Sequence, residues 1–229
     1  MHIIAGPPGV GKSTRGFDYV DPELDIINED EMRFKYQQQG YPDAAQQAVF
    51  RVREMVKRRI IANEDFAYEL NLGYQDQYDY VISAKTFSWE NKLNVLLFFT
   101  DDVQLCKDRA KVRHESGLHL VKPEIIEKMY QNTIPLLKQN FKFIDQLSLV
   151  NAEINRLYTV AEYNRPDKSF HIGNSSPSWF KNDLQPFIEQ YVAELKVDKP
   201  QVKPWQPPTD TGEERDKDKD QERRHGRKR

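Results

Sequence analysis

A run of glycine, lysine and serine near the start of the chain has the spacing of a phosphate-binding loop. Residues 6–13 read Gly-Pro-Pro-Gly-Val-Gly-Lys-Ser. They follow a predicted strand, His2–Ala5, and lead into a predicted helix that begins at Lys12 and continues to Tyr19. This order of strand, glycine-rich turn and helix distinguishes a true phosphate loop from a chance match. The residues expected to bind ATP are Gly6, Pro7, Pro8, Gly9, Val10, Gly11, Lys12, Ser13 and Thr14.

Each residue type in this loop suits a triphosphate. Glycines let several backbone N–H groups converge on phosphate oxygens, and the following helix adds the positive end of its dipole. Lys12 is expected to reach the β- and γ-phosphates, the Ser13 hydroxyl to bind Mg²⁺, and Thr14 to contact the α-phosphate. A glycine-rich turn without a ligand is the alternative, but it gives no reason for Lys-Ser-Thr at this point. The motif indicates a nucleoside triphosphate and leaves the reaction open.

A carboxylate follows the second predicted strand, Leu24–Asn28, where ligands of parallel sheets bind. Asp30 could accept a proton from a substrate hydroxyl, as kinases require. It could equally cap a short helix predicted over Met32–Gln38. Asn28 and Arg33, on either side of Asp30, are candidate substrate-binding residues.

A second acidic side chain interrupts the apolar strand predicted over Asp65–Leu70. Burying Glu69 without a partner would be costly. A role at the magnesium or substrate site would explain it, and a surface position on a half-exposed strand is the alternative.

Two arginines mark the helix predicted over Val103–His114. Arg109 and Arg113 are four residues apart and share one helical face. Arginines commonly stabilise the charge of a phosphoryl group in transfer, whereas a solvated helix face is the alternative. The next segment has the character of a mobile lid and contains His119, a candidate substrate-binding residue that taken alone suits a packing or capping role.

The remaining pattern predicts an α/β fold of the P-loop NTPase type, with a parallel sheet covered by helices on both faces. Leu93–Thr100 is apolar at nearly every position, as a central parallel strand should be. Strands separated by helices imply parallel connections. Further helices are predicted over 43–63, 77–87, 122–141 and 178–195.

The end of the chain changes composition. Residues 1–195 form the predicted domain, and the proline-rich and charged residues 196–229 form a predicted disordered tail, because they offer no apolar face. The tail also explains a mean hydropathy of −0.81. Its basic end could touch nucleic acid, although acidic residues just upstream favour a solubilising role.

Composition excludes several classes. The net charge of −2 gives no whole-chain reason to bind nucleic acid or membranes. Cys106 is the single cysteine, which suits a reducing compartment and a buried apolar role. No apolar run approaches about 18 residues, and a strand from His2 leaves no space for a signal peptide. We therefore expect a cytoplasmic protein without membrane contact.

Taken together, these motifs resemble the zeta-toxin family of P-loop kinases, over about Ile3 to Asn151. The resemblance begins with Gly-Pro-Pro-Gly-Val-Gly-Lys-Ser-Thr and continues with Ile-Asn-x-Asp-Glu at 27–31 and Asn-x-x-Phe-Ala-Tyr-Glu at 63–69. It then includes Arg109-x-x-x-Arg113, Gly-x-His-x-Val at 117–121, Pro-Glu at 123–124 and Tyr130. The later motifs are weak singly and fairly specific in this order.

The resemblance implies an ATP- and Mg²⁺-dependent kinase that phosphorylates a hydroxyl of a UDP-linked amino sugar such as UDP-N-acetylglucosamine. It implies Asp30 as general base, Glu69 at the substrate or magnesium site, and Arg109 and Arg113 on the transferred phosphate. It also implies a separately encoded antitoxin that blocks the ATP site.

The sequence departs from the family at two places near the expected substrate side. The family often has consecutive arginines just before the tyrosine that matches Tyr130, where this chain has Lys128 and Met129, and it has threonines where Leu70 and Asn71 follow Glu69. A nucleotide or a nucleic-acid end is therefore an alternative acceptor. A nucleotide-dependent binding or adaptor protein with weak hydrolysis is the alternative of another class.

Overall fold

The structure is a computed structural model that describes residues 1–115, 120–154 and 156–197. Its described strands are β1 His2–Ala5, β2 Ile26–Asn28, β3 Ala67–Glu69, β4 Asn94–Phe99, β5 Gln146–Ala152, β6 Leu157–Asn164 and β7 Ser169–Ile172. Its described α-helices are α1 Lys12–Arg15, α2 Glu29–Gln38, α3 Ala44–Ala62, α4 Gln75–Thr86, α5 Val103–Glu115, α6 Pro123–Asn140 and α7 Gln185–Lys196. Helix α1 continues as a 3₁₀ turn, Gly16–Tyr19, and a π-helical segment, Phe180–Leu184, leads into α7.

The strands of the described chain form one sheet in the order β2-β3-β1-β4-β5-β6-β7. Strands β1 to β5 pair in parallel, which confirms the predicted parallel sheet for β1 to β4 and adds β5, a strand that was not predicted. The pairs β5–β6 and β6–β7 are antiparallel, so the sheet has an edge that the sequence prediction did not include. For the pair β6–β7 the short connection explains the direction. Residues 165–168 join the two strands as a hairpin turn, and strands joined by a hairpin are antiparallel.

Helices cover both faces of the sheet, as predicted. Alternate residues of β4 face opposite sides, and Val95 and Leu97 belong to a different buried cluster from Leu96 and Phe98. The first cluster includes buried side chains of α3, α4, α6 and α7, and the second includes Cys106 and other side chains of α5.

Aromatic residues anchor the segment that leads into the last helix. Trp179 and Phe180 are buried against the sheet, and the indole N–H of Trp179 donates to Asn151 Oδ1 at 2.8 Å. Met1–Lys196 form one compact unit. The predicted tail lies outside the described residues, apart from its first two positions, so the division at residue 195 stays a prediction.

The parallel strands determine where a site can form. The carboxyl ends of β1, β2 and β3 are adjacent, and the phosphate-loop motif, Asn28 and Glu69 all lie at those ends. Helix α5 follows the carboxyl end of β4, so its arginines reach the same edge. The sheet therefore gathers residues that are distant in sequence.

Candidate active site

The glycines of the phosphate loop have backbone conformations that other residues rarely adopt. Gly6, Gly9 and Gly11 have φ values of +135°, +81° and +111°. A Cβ on Gly6 would lie 2.2 Å from the Phe98 carbonyl oxygen, and one on Gly9 would lie 2.1 Å from the Cys106 carbonyl oxygen. The loop therefore follows β4 and α5 too closely for a side chain at either position.

Lys12 is held inside this loop by three acceptors. Its Nζ donates to the carbonyl oxygens of Gly6 at 2.8 Å and Pro7 at 3.1 Å, and to Asn71 Oδ1 at 2.8 Å. The residue is only 6% exposed. Burial lowers the pKa of the Lys12 ammonium, and the charges of Glu69 and Asp30 oppose that shift. An anion placed here would compensate a charge that burial disfavours.

Glu69 joins the loop to the second strand. Its Oε1 accepts from the Ser13 hydroxyl at 2.7 Å, and its Oε2 accepts from Asn28 Nδ2 at 2.9 Å. Glu69 is thus a paired carboxylate beside Ser13, the predicted magnesium ligand. The alternative, a carboxylate that only faces solvent, does not fit these two hydrogen bonds.

Asp30 is not the helix cap that the sequence allowed. Helix α2 begins earlier than predicted, at Glu29, and its N-cap is Asn28, whose Oδ1 accepts from the backbone N–H of Asp30 at 2.9 Å and of Glu31 at 3.2 Å. The Asp30 carboxylate is left to pair with side chains. It contacts the guanidinium of Arg33 from its own helix and that of Arg113 at 3.2 Å.

The two arginines of α5 have different surroundings. Arg109 donates to the Val10 carbonyl at 3.2 Å and to the carbonyls of Glu153 and Ile154, at 2.8 and 3.2 Å, and so connects the phosphate loop to the loop after β5. Arg113 turns instead to Asp30. Both side chains line the cavity, but only Arg113 contacts the candidate base.

These groups surround one open cavity of about 680 Å³. It is lined by Pro8, Gly9, Gly11, Lys12, Ser13, Thr14, Asp30, Arg33, Glu69, Asn71, Asp108, Arg109, Val112, Arg113, Val121, Ile125 and Met129. Four of the sequence-predicted residues do not line the cavity: Gly6, Pro7, Val10 and Asn28. They form hydrogen bonds with residues that do line it, as described above. His119 lies outside the described residues.

The donor set fits magnesium that arrives with phosphates. Mg²⁺ is usually held by one or two protein oxygens together with substrate phosphates and water. Ser13 and Glu69 supply such oxygens. The described residues contain no cluster of three or more His, Cys, Asp or Glu that could hold a metal alone.

Two acids after β4 take structural positions. The Asp101 carboxylate accepts from the backbone N–H groups of Ser178 and Trp179, at 2.9 and 2.8 Å. Asp102 Oδ1 accepts from Gln104 N at 2.8 Å and so caps α5. The carboxylate that accepts a hydrogen bond from Ser13 is neither of these two but Glu69, at the end of β3.

Comparison with known proteins supports the fold. No family model matches the sequence, and no curated protein matches it. A solved structure of AvrRxo1-ORF1:AvrRxo1-ORF2 with sulphate ions superposes with a TM-score of 0.61 at 10% identity. It covers 80% of this chain, which spans only 62% of that chain. A structure of the PezAT chromosomal toxin–antitoxin system of Streptococcus pneumoniae superposes with a TM-score of 0.51 at 16% identity, over 86% of this chain and 88% of that one.

This chain has the fold of those two proteins. The fold that the zeta-toxin resemblance implied is thereby confirmed. At such low identity the superpositions describe architecture, so activity, acceptor and partners have to be argued from the residues of this chain.

Some cavity residues were missed in the sequence. Asn71 holds Lys12 and, through its carbonyl, accepts from the Gly6 N–H at 3.2 Å. Its position just beyond a predicted strand end was a usable signal. Val121, which precedes α6, gives the cavity an apolar wall together with Ile125 and Met129 of α6. For the two helical residues the sequence pattern alone predicts only core packing.

Two further expectations from the composition concern membrane spans and the single cysteine. Among the described helices none is both long and apolar enough to cross a membrane. Cys106 is fully buried, as predicted, and burial raises the pKa of its thiol to about 11. A neutral, enclosed thiol is a packing residue here and does not act as a nucleophile.

Proposed function

We propose that the chain is an ATP-dependent phosphotransferase of the zeta-toxin type, which transfers the γ-phosphate of ATP to a hydroxyl of a UDP-linked amino sugar resembling UDP-N-acetylglucosamine. One observation carries the proposal: the Asp30 carboxylate lines the same cavity as Lys12 and Ser13. A phosphate-binding loop and an accessible carboxylate in one cavity are the minimum that transfer to a hydroxyl requires.

The loop side would hold the nucleotide. Backbone N–H groups at the start of α1 and the Lys12 ammonium would bind the phosphates, for which Lys12 exchanges one of its three protein acceptors. Ser13 and Glu69 would hold Mg²⁺, which supplies charge neutralisation on the phosphates when bound. Arg109 keeps the loop against the segment after β5.

The other side would hold the acceptor. Asp30 would take the proton from the attacking hydroxyl, so that the oxygen gains nucleophilicity as its bond to the γ-phosphorus forms. The bond from that phosphorus to the β–γ bridging oxygen would break, and ADP would leave. Arg33 and Arg113 fix the carboxylate, and the Arg113 guanidinium would also bind a phosphoryl oxygen. Arg33 is the more enclosed of the two, with a side chain that is 14% exposed.

A nucleotide or a nucleic-acid end is the second candidate acceptor. The apolar cavity wall formed by α6 is the observation that favours this candidate. Met129 lines the cavity at one position where the family often has arginine, while Lys128 lies over the Tyr74 ring at 5.5 Å and does not line it. An apolar wall suits the flat face of a base as well as that of a sugar. Among the described residues that line the cavity, the arginines of α2 and α5 are the cationic groups left for acceptor phosphates.

A separately encoded antitoxin is the partner that follows from this reading. PezAT is by its description a toxin–antitoxin system. A protein that covers the open cavity would prevent nucleotide binding. The adaptor alternative depends on residues 213–229, which lie outside the described residues, and it stays a prediction, as does the cytoplasmic location.

The decisive experiment uses γ-labelled ATP, Mg²⁺ and parallel panels of UDP-sugars, nucleosides and oligonucleotides. Label on UDP-N-acetylglucosamine, lost in Lys12→Ala and Asp30→Asn, would support the proposal. Label on a nucleoside or an oligonucleotide end would select the second candidate. Label released only as phosphate, at equal rates with and without every acceptor, would reject a kinase of either kind.

A further inference from the structure

The buried amide of Asn28 lies between the two halves of the active site. Asn28 ends β2, is paired in register with Glu69 of β3, and is 8% exposed. Both ends of its side chain are used. Oδ1 accepts from two backbone N–H groups at the start of α2, and Nδ2 donates to Glu69 Oε2 at 2.9 Å.

The contacts of Glu69 extend this connection to the phosphate loop. Its second oxygen accepts from the Ser13 hydroxyl at 2.7 Å. A continuous chain of hydrogen bonds therefore runs from Ser13 through Glu69 and Asn28 to the backbone N–H of Asp30. It joins the residue proposed to bind magnesium to the residue proposed to act as base.

Only asparagine supplies both contacts at this position. Aspartate and serine are equally good N-caps. Aspartate, however, has no N–H to offer Glu69 and would bring two carboxylates together, whereas serine has a single short hydroxyl that is already used by the cap. Helix capping alone would be satisfied by all three residues, so the amide is explained by the contact with Glu69.

We infer that Asn28 is a positioning residue that sets the base, Asp30, relative to the Ser13–Glu69 metal site. This inference rests on the proposed function. It replaces the substrate-binding role expected from the sequence, because the cavity lining does not include Asn28 and its side-chain contacts go to Glu69 and to the α2 backbone. Asn28 acts through its two neighbours and does not touch the acceptor.

The test compares Asn28→Asp and Asn28→Ser, which both retain the cap, with Asn164→Asp. Asn164 accepts from Asp167 N in the turn after β6, far along the chain from the site, and provides the same chemical change outside it. Loss of a hydrogen bond to a charged group corresponds to about a ten- to hundredfold fall in kcat. We expect that fall for both Asn28 variants, an unchanged KM for the acceptor, and no effect of Asn164→Asp.

Calorimetry of Mg²⁺-dependent binding of a non-hydrolysable ATP analogue needs no acceptor and no turnover. Asn28→Asp should weaken it at least about threefold, since the added carboxylate repels Glu69 and is a rival acceptor for the Ser13 hydroxyl. Wild-type affinity together with wild-type kcat would overturn the inference, and so would a raised acceptor KM at unchanged kcat. A wild-type protein that binds the analogue but phosphorylates nothing would reject the kinase proposal, while the calorimetric comparison still decides the contact of Asn28 with Glu69.

Discussion

Replacing Gly9 with alanine tests whether the phosphate loop depends on its close approach to α5. The glycine has a φ of +81°, and an alanine Cβ there would lie 2.1 Å from the Cys106 carbonyl oxygen and 2.9 Å from its carbon. The obstructing atoms belong to the backbone of a helix, so no side chain can rotate away. Either the loop or the helix has to move.

Gly40 provides a matched control for the size of the effect. Its φ is +74°, and a Cβ at this position meets nothing within 4 Å. Left-handed backbone costs an L-residue roughly 1–2 kcal/mol, which both alanine variants should show. Overpacking in a close contact adds about 1–3 kcal/mol, and only Gly9→Ala incurs it. We therefore expect Gly9→Ala to lower the free energy of unfolding by about 2–5 kcal/mol in total.

Urea denaturation of both variants gives the free energies of unfolding, and calorimetry with Mg²⁺ and an ATP analogue gives the affinities. Gly40→Ala should bind nucleotide as wild type does. Gly9→Ala should bind at least about tenfold more weakly, because displaced N–H groups no longer converge on the phosphates. If the two variants were equally stable and Gly9→Ala kept wild-type affinity, the close packing described for this loop would be refuted.

Three further changes address the neighbouring groups. Asp30→Asn should lower phosphotransfer about 10²- to 10⁴-fold, and shift the free energy of unfolding by no more than about 1 kcal/mol, because the carboxylate is 46% exposed. Asn71→Ala removes an acceptor from the buried Lys12 ammonium, so urea denaturation should show a loss of about 1.5–3 kcal/mol. The raised pKa of Cys106, about 11, leaves roughly one thiol in a thousand ionised at pH 8. Mass spectrometry should therefore find Cys106 unmodified by iodoacetamide in the folded chain.

Matched variants control each of these measurements. Glu31 follows Asp30 in the chain but does not line the cavity. Equal losses of phosphotransfer in Glu31→Gln and Asp30→Asn would contradict Asp30 as the specific base. Asn91→Ala breaks a neutral bond to the Ala84 carbonyl, so a cost as large as that of Asn71→Ala would show that the Lys12 charge is irrelevant. Complete alkylation of Cys106 without urea would contradict its burial.

The sequence predicted the nucleotide side of the cavity because a phosphate loop is local. Strand, glycines, lysine and serine are contiguous, so their relation in space follows from their order along the chain. The central strand β4 was equally clear, since its two buried faces require apolar residues at successive positions. Glu69 was found for the opposite reason, as a charge in an apolar strand that needs a partner.

Features that depend on contacts between distant segments were missed. The role of Asn28 as cap became visible only with the true start of α2, one turn earlier than the apolar pattern indicated. Asn71 contacts a lysine that is 59 residues away, and its position beyond a strand end indicates the site without indicating this partner. The strands β6 and β7 were not predicted, because they mix exposed and buried positions. β5 was missed although most of its residues are buried.

The close approach of α6 to the segment after β3 determines which side chain forms the wall on the proposed acceptor side of the cavity. A Cβ on Gly73 would lie 2.7 Å from Met129 Cβ, and Asn132 of the same helix donates to the Gly73 carbonyl at 3.1 Å. This packing leaves Met129 only 9% exposed at the cavity wall. A cation so enclosed would need a paired anion, whereas a thioether needs none. For the acceptor of the proposed kinase we therefore expect an apolar ring face against α6 and negative charges toward Arg33 and Arg113.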